Sequence, residues 1–393
     1  MKRRLFAAAA LLALVLTGCA QPPSPAADSI SDPEPAPPPE VSAPVEEKPE
    51  PAPPTVEEQA RAVLEGMSRE EVVGQLFFVR YPGDSALAAQ WAGELTLGGY
   101  ILFGRDFKED TPEGVRSKIA ASQSACSVPM LMGVDEEGGT VVRASRYPAF
   151  RAETFRSPQK VFAQGGLEAV RVDASEKSTF LKDLGINVNL APVVDVSTDP
   201  SDFIYDRAFG QGGAETAEYA AAVVEVMGEQ GIGSVLKHFP GYGNNVDTHT
   251  GIAFDPRPLE QFLTVDLLPF RAGGNAGAGG VLVSHNIVTC LDETLPASLS
   301  PAAYKLLRQE VGFDGVAMTD DLDMAAVGEY VQEGSAAVMA IEAGADMVLT
   351  SDPHTQISQV LSALDEGRLD WSRVEESALR VLTWKVKLGL IST

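Results

Sequence analysis

The sequence predicts an α/β protein built on a single TIM-type (β/α)8 barrel, preceded by a targeting segment and a Pro/Glu-rich tether. Three observations lead there. Eight short runs rich in β-branched and apolar residues recur along the chain, and segments of helical periodicity separate most of them. A charged or imidazole-bearing residue stands at or just past the end of nearly every run, where barrel enzymes carry their chemistry. The part of the chain left after the tether, residues 56–393, has the length of one such barrel.

Taken in order, the first element is a targeting segment. Lys2, Arg3 and Arg4 form a positive start, and Leu5 to Leu16 is apolar but too short to span a bilayer. The following Leu16-Thr17-Gly18-Cys19 resembles the lipobox of bacterial lipoproteins, in which cleavage before the cysteine leaves it lipidated. That resemblance implies a signal over residues 1–19, lipidation at Cys19, and an extracytoplasmic protein lipid-anchored to a bacterial membrane. Residues 20–55 are Pro, Glu, Ala and Ser with almost no large apolar side chains, so they bury too little surface to offset the entropy of ordering. A disordered linker is expected there, extended at proline repeats such as Pro33 to Pro39.

Beyond the tether, Val56 to Gly66 has helical spacing, and Ser68 heads a second helix as its N-cap. The eight strand-like runs are Val73 to Val79, Tyr100 to Phe103, Met130 to Val134, Asn187 to Val194, Gly233 to Leu236, Gly280 to Val283, Gly315 to Met318 and Ala345 to Leu349. Helical patterns fall at Ala214 to Gln230, Leu259 to Ala272, Pro301 to Val311 and Gly334 to Ala343, and an amphipathic stretch from Val374 to Leu390 closes the barrel. The polar residues after the runs are Arg80, Arg105 with Asp106, Asp135, Asp195, Lys237 with His238, His285, Asp320, and Ser351 with Asp352.

Composition removes some functions. A formal net charge of -25, with no basic block to offset it, argues against nucleic acid as a partner. Besides Cys19 the chain has Cys126 and Cys290, at no metal-ligand spacing; two buried thiols are the expectation, with one disulfide open.

Three stretches concentrate chemistry. KHFPGYGNNVDTH, from Lys237 to His249, holds two of the four histidines with a lysine and an aspartate on one strand-end loop. MTDDLDM places Asp320, Asp321 and Asp323 at the end of the seventh run, where one carboxylate suits a nucleophile; helix capping and a hard-cation site are the structural alternatives. Asp135-Glu136-Glu137-Gly138-Gly139, with Arg143 downstream, suits bidentate hydrogen bonding to sugar hydroxyls. Paired acids facing a cleft suggest glycoside hydrolysis, here with His249 as proton donor, because Asp247 two residues before it can orient the imidazole and raise its pKa.

These motifs resemble glycoside hydrolase family 3, in its bacterial β-N-acetylglucosaminidase branch. The resemblance runs from about Met67 to Leu390 through MSREEVVGQLF, GGYILFGRDF, GVDEEGGTVVR, NVNLAPVVDV, RAFG, KHFPGYGNNVDTH, LVSHN, PASLS, LRQEVGFDGVAMTDDLDM and GADMVL. It implies Asp320 as nucleophile, His249 as acid/base and Asp247 as its partner, with Asp135, Arg143, Arg207, Lys237 and His238 gripping the terminal sugar. The implied reaction is retaining exo-hydrolysis of β-linked N-acetylglucosamine (GlcNAc) from peptidoglycan fragments or related glycans, with no cofactor and no metal, by a monomer. Tyr242 stands where many relatives have histidine, and Thr248 where serine is usual; the additional C-terminal domain of some members is not expected. The alternatives are phosphorolysis, β-glucosidase activity and a catalytically silent sugar-binding lipoprotein.

Overall fold

Eight parallel strands close into a barrel in the computed structural model, which describes residues 53–245, 253–324 and 335–391 together with Ala36, Val327 and Tyr330. The strands are β1 (Phe77–Arg80), β2 (Gly99–Leu102), β3 (Leu131–Val134), β4 (Val188–Asn189), β5 (Gly233–Phe239), β6 (Gly280–Val283), β7 (Val316–Asp321) and β8 (Met347–Thr350). Their order around the barrel is the order of the chain, with β8 hydrogen-bonded back to β1, so no strand edge is left open. The expected signal over 1–19, with Cys19, lies outside the described residues, as does the expected linker apart from Ala36 and residues 53–55.

Each strand is buried on both faces, which is why the runs read as apolar without alternation. Phe78, Ile101, Leu131, Val188, Leu190, Val235, Leu282, Val316, Met318, Met347 and Leu349 fill the interior. Their neighbours Phe77, Val79, Tyr100, Leu102, Met132, Val134, Leu236 and Val281 face the helices instead. Phe78 fits because the adjoining strands carry Gly99 and Gly133, where a Cβ would stand 2.8 Å and 2.4 Å from its ring. Trp384 closes the lower end against Gly233, Gly279 and Gly280.

The helices are α1 (Val56–Glu65), α2 (Arg69–Gly74), α3 (Ser85–Leu95), α4 (Pro112–Ala125), α5 (Pro158–Asp183), α6 (Gly213–Glu229), α7 (Leu267–Asn275), α8 (Pro301–Leu306), α9 (Ala336–Ala343), α10 (Pro353–Asp365) and α11 (Trp371–Lys387). Ser68 caps α2 as expected: its hydroxyl accepts from Glu71 N–H, and Glu71 Oε2 accepts from Ser68 N–H at 2.8 Å. α11 packs Val374, Ala378 and Val381 inward.

Several boundaries differ from expectation for local reasons. Val73 and Gly74 end α2, and the first strand starts only at Phe77, because an apolar run alone does not separate helix from strand. The fourth run shortens to Val188–Asn189: Pro192 has no N–H to offer the ladder, and pairing returns only as a bridge between Val193 and Lys237. The helices expected over Leu259 to Ala272 and Pro301 to Val311 each contain a π-type turn, at Phe262–Asp266 and Leu307–Val311. Cys126 is half-buried and Cys290 exposed, and both thiols are free.

Candidate active site

Lys237 and His238 are consecutive in β5, and strand alternation alone would send them to opposite faces. The register shifts between Lys237 and Phe239 against β6, and both side chains line the same cleft. Lys237, 2% exposed, reaches across the barrel mouth to Asp135 at the end of β3 and to Glu137, 2.6 Å from each. Asp135 also has Arg143 at 3.7 Å.

Arg207, from the loop after β4, grips Glu137 with a fork, Nε to Oε2 at 3.0 Å and Nη2 to Oε1 at 2.8 Å. Burial pushes the Glu137 carboxyl up, but Arg207 and Lys237 outweigh it and hold the group well below the usual carboxylate range. Arg207 is raised in turn, since Glu137 more than compensates its own burial. The Nη2 of Arg207 also donates to His238 Nε2 at 3.1 Å, so that nitrogen presents its lone pair. The proton then sits on Nδ1 and is donated to Asp195 Oδ2 at 2.8 Å, while Asp195 Oδ1 accepts from Tyr242 N–H at 2.7 Å. Asp195 thus sets the tautomer of His238 and the path of the chain beyond it.

Asp320 is the penultimate residue of β7 and half-buried; its Oδ1 accepts from Asp321 N–H at 2.8 Å. The backbone there is fixed from below, because His285 Nε2 donates to the Asp321 carbonyl at 2.9 Å while Nδ1 meets the Ser298 hydroxyl at 2.7 Å. The three aspartates of MTDDLDM have separate fates. Asp321 pairs with Arg80, and its carboxyl is pushed up to about 6 by burial, against the pull of Asp323 N–H and Arg80. Asp323 accepts from Ser351 N–H at 2.7 Å and from its hydroxyl at 2.6 Å. Among the described residues no group of three or more His, Cys, Asp and Glu is placed to hold a metal.

Asp135, Glu137, Arg143, Arg207, Lys237, His238 and Asp320 therefore line one cleft of about 270 Å3 at the C-terminal ends of the strands. Its apolar floor is Ile101, Leu190, Leu282 and Leu349, the top layer of the barrel interior. Asp247 and His249 lie outside the described residues.

Other strand-end residues serve the scaffold. Asp106 accepts from Phe103 N–H, Arg105 donates to the Tyr81 carbonyl, and Asp352 caps α10. Of the vicinal carboxylates, Glu136 is turned fully inward: it accepts from Arg143 N–H and Ala144 N–H at 2.9 Å each and from the Ser145 hydroxyl, so it has no oxygen for a sugar. Glu137, read from sequence only as one of the acidic knot, is the centre of the ion-pair cluster. Arg80 gave the signal of its strand-end place but not of its partner.

Residues 68–384 match the model described as Glycosyl hydrolase family 3 N terminal domain. A curated relative, Beta-hexosaminidase LpqI of Mycobacterium tuberculosis, is 35% identical over 313 residues, covering 77% of this chain and 79% of the relative. The Beta-hexosaminidase of Xanthomonas campestris pv. campestris (strain B100) is 34% identical over 272 residues, covering 68% and 81%. Among solved structures, a glycoside hydrolase family 3 β-N-acetylglucosaminidase from Paenibacillus sp. str. FPU-7 superposes with a TM-score of 0.77 at 29% identity, covering 83% of this chain but 64% of that one. This chain thus spans less than two thirds of the Paenibacillus protein. M. tuberculosis LpqI superposes with a TM-score of 0.74 at 31% identity, covering 83% of this chain and 96% of the other. With the barrel, the cleft and these matches together, the chain belongs to glycoside hydrolase family 3 and is a glycoside hydrolase similar to that family's β-hexosaminidases.

Proposed function

We propose that the enzyme removes terminal, non-reducing β-linked GlcNAc from peptidoglycan fragments or related glycans, with retention of configuration. Asp320 attacks the anomeric carbon and forms a covalent glycosyl-enzyme, while His249, oriented by Asp247, protonates the departing oxygen; water activated by the same histidine then releases the sugar. The roles of Asp247 and His249 rest on the KHFPGYGNNVDTH motif.

One observation carries the reading: the Asp320 carboxylate lines the same small cleft as the Asp135–Lys237–Glu137–Arg207–His238 cluster. Those groups are already desolvated and locked by one another, so they meet a sugar's hydroxyls with little reorganisation. Arg143 keeps a buried Nε–H with no hydrogen-bond partner among the described residues, a donor available to a sugar oxygen. A cleft of about 270 Å3 suits one terminal ring, which favours exo-cleavage.

The test is nitrophenol release from an aryl β-N-acetylglucosaminide in phosphate-free buffer, beside the aryl β-glucoside. Turnover of the GlcNAc substrate alone, lost in Asp320→Ala, is expected, together with a glycosyl mass on the Asp320 peptide after reaction with a slow fluorinated analogue. Turnover that appears only on adding phosphate assigns phosphorolysis instead, and binding without turnover in either buffer assigns a silent sugar-binding protein. We also propose anchoring through a lipid on Cys19: the Cys19→Ser chain is then released from the membrane fraction, and retention in that fraction refutes the anchor.

A further inference from the structure

Arg257 is absent from the cleft walls, yet its side chain is only 10% exposed and its N–H groups are engaged around the guanidinium. Its Nε lies 3.0 Å from both Asp255 carboxylate oxygens, and Nη2 donates to Asp255 Oδ2 at 2.7 Å and to the Gly241 carbonyl at 2.8 Å. Nη1 donates to Asp266 Oδ1 at 2.8 Å, and the Phe262 ring covers the guanidinium at 4.4 Å. Asn245 joins the ring by donating Nδ2–H to Asp255 Oδ2 at 2.7 Å.

The positions of these partners in the chain matter. Gly241 and Asn245 precede residues 246–252, whereas Asp255 and Arg257 follow them, so one ring of hydrogen bonds ties both flanks together. The chain has been shaped to let it close. Gly243 has φ 52°, and a Cβ there would stand 2.4 Å from the guanidinium carbon; Gly241 has φ 126°, and a Cβ there would stand 2.7 Å from Asp266 Oδ1. The downstream flank is pinned to the loop after β6, where Phe254–Asp255 pairs with Ile287–Val288 and Thr289 N–H donates to the Asp255 carbonyl at 3.0 Å. The upstream flank is pinned to the sugar-facing cluster, since Gly241 N–H donates to the His238 carbonyl at 2.8 Å. Burying an arginine with two carboxylates is costly in desolvation and is a known means of specifying one geometry.

We propose that Arg257 is a positioning residue for proton transfer: by fixing both flanks of the segment that carries Asp247 and His249, it acts on leaving-group protonation and not on sugar binding. This rests on the acid/base reading of His249 given above.

A leaving-group series separates the two ideas. For aryl β-N-acetylglucosaminides, kcat/KM reports the first irreversible step, and a 2,4-dinitrophenyl group departs without protonation whereas a phenyl group needs it. Arg257→Lys keeps the charge but loses the fork. Its kcat/KM is expected to fall at least about tenfold on the phenyl substrate and less than about threefold on the dinitrophenyl one, a fraction of the 10²–10⁴ that general acid catalysis contributes. Asn245→Ala, which removes one bond of the ring, is expected to show the same asymmetry in milder form, and it carries the comparison if Arg257→Lys melts below the assay temperature. Equal losses on every leaving group, or none, in the folded variants overturn the inference. His249→Ala is measured alongside. If its own losses are equal across the series, the acid/base reading has failed; if they are asymmetric while those of the ring variants are not, the positioning role alone has failed.

Discussion

Glu137→Gln tests the electrostatic core of the site. The substitution keeps the shape of a side chain that is 2% exposed but removes the charge shared by the Arg207 fork and Lys237. One of its two terminal atoms becomes an NH2, which must face an N–H donor now 2.6 to 3.0 Å away, so at least one of these donors loses its acceptor and both cations lose the charge they share. At an effective dielectric constant of about 20, an ion pair at these distances is worth roughly 6 kcal/mol before desolvation. Relief of the buried carboxylate's desolvation offsets several kcal/mol of that, leaving a net loss of about 3–5 kcal/mol, the usual cost of breaking a buried pair. Thermal unfolding at pH 7 is expected to shift down by roughly 4–7 °C, with KM raised because Arg207 and Lys237 lose their common anchor and the Arg207 donor to His238 is no longer held by its fork. Because the cations hold Glu137 well below its ordinary pKa, its stabilisation is complete above the unfolded value near 4.5 and is lost only as pH falls through the folded one. The difference between the two proteins should therefore be flat from pH 6 to 8. A loss under about 1 kcal/mol with unchanged KM, or a difference that varies across that range, refutes the reasoning.

Asp195→Asn turns an amide N–H toward buried donors that Asp195 now satisfies; with the amide oxygen kept on Tyr242 N–H, His238 must move its proton to Nε2 and meet the Arg207 donor, so kcat/KM is expected to fall on the order of tenfold and stability by about 1–3 kcal/mol for the unsatisfied donor. Lys385 is fully buried in α11, donates to Gln75 Oε1 at 2.6 Å, and is pushed down to about 7 by burial. The unfolded chain binds that proton more tightly between pH 7 and about 10, so stability rises with pH there. Lys385→Met should stabilise at pH 6 by roughly 2 kcal/mol, about 5 from the relieved desolvation less about 3 for the orphaned Gln75 carbonyl, and in denaturant titrations the gain should vanish a little above pH 8 and become a loss of about 2 kcal/mol near pH 10. Asp346, at the lower end of the barrel, accepts from Arg308, Arg373, Arg380, Ser377 and Ala317 N–H; Asp346→Asn is expected to cost about 3–5 kcal/mol of stability while activity per folded molecule is unchanged.

Residues close together in the chain decide the features that could be read before folding. The eight runs, the polar residues that end them and the Ser68–Glu71 cap are all local, and they suffice for a barrel with its chemistry at one end. The glycines of KHFPGYG were legible as a loop signal, but the Arg257 guanidinium and Asp266 carboxylate that demand them are supplied from beyond residue 252. Tertiary structure alone decided which acids are used: Asp135, Glu136 and Glu137 look alike in a row, yet Glu136 braces its own loop and Glu137 is claimed by Lys237, 100 positions on, and by Arg207, 70 positions on. It likewise paired Asp195 with His238, Arg80 with Asp321 and Trp384 with the glycines at the barrel's lower end. The physical reason is that spacing along a chain sets which face of a strand or helix a residue occupies, whereas ion pairing and close packing depend on distances that exist only after the barrel has closed.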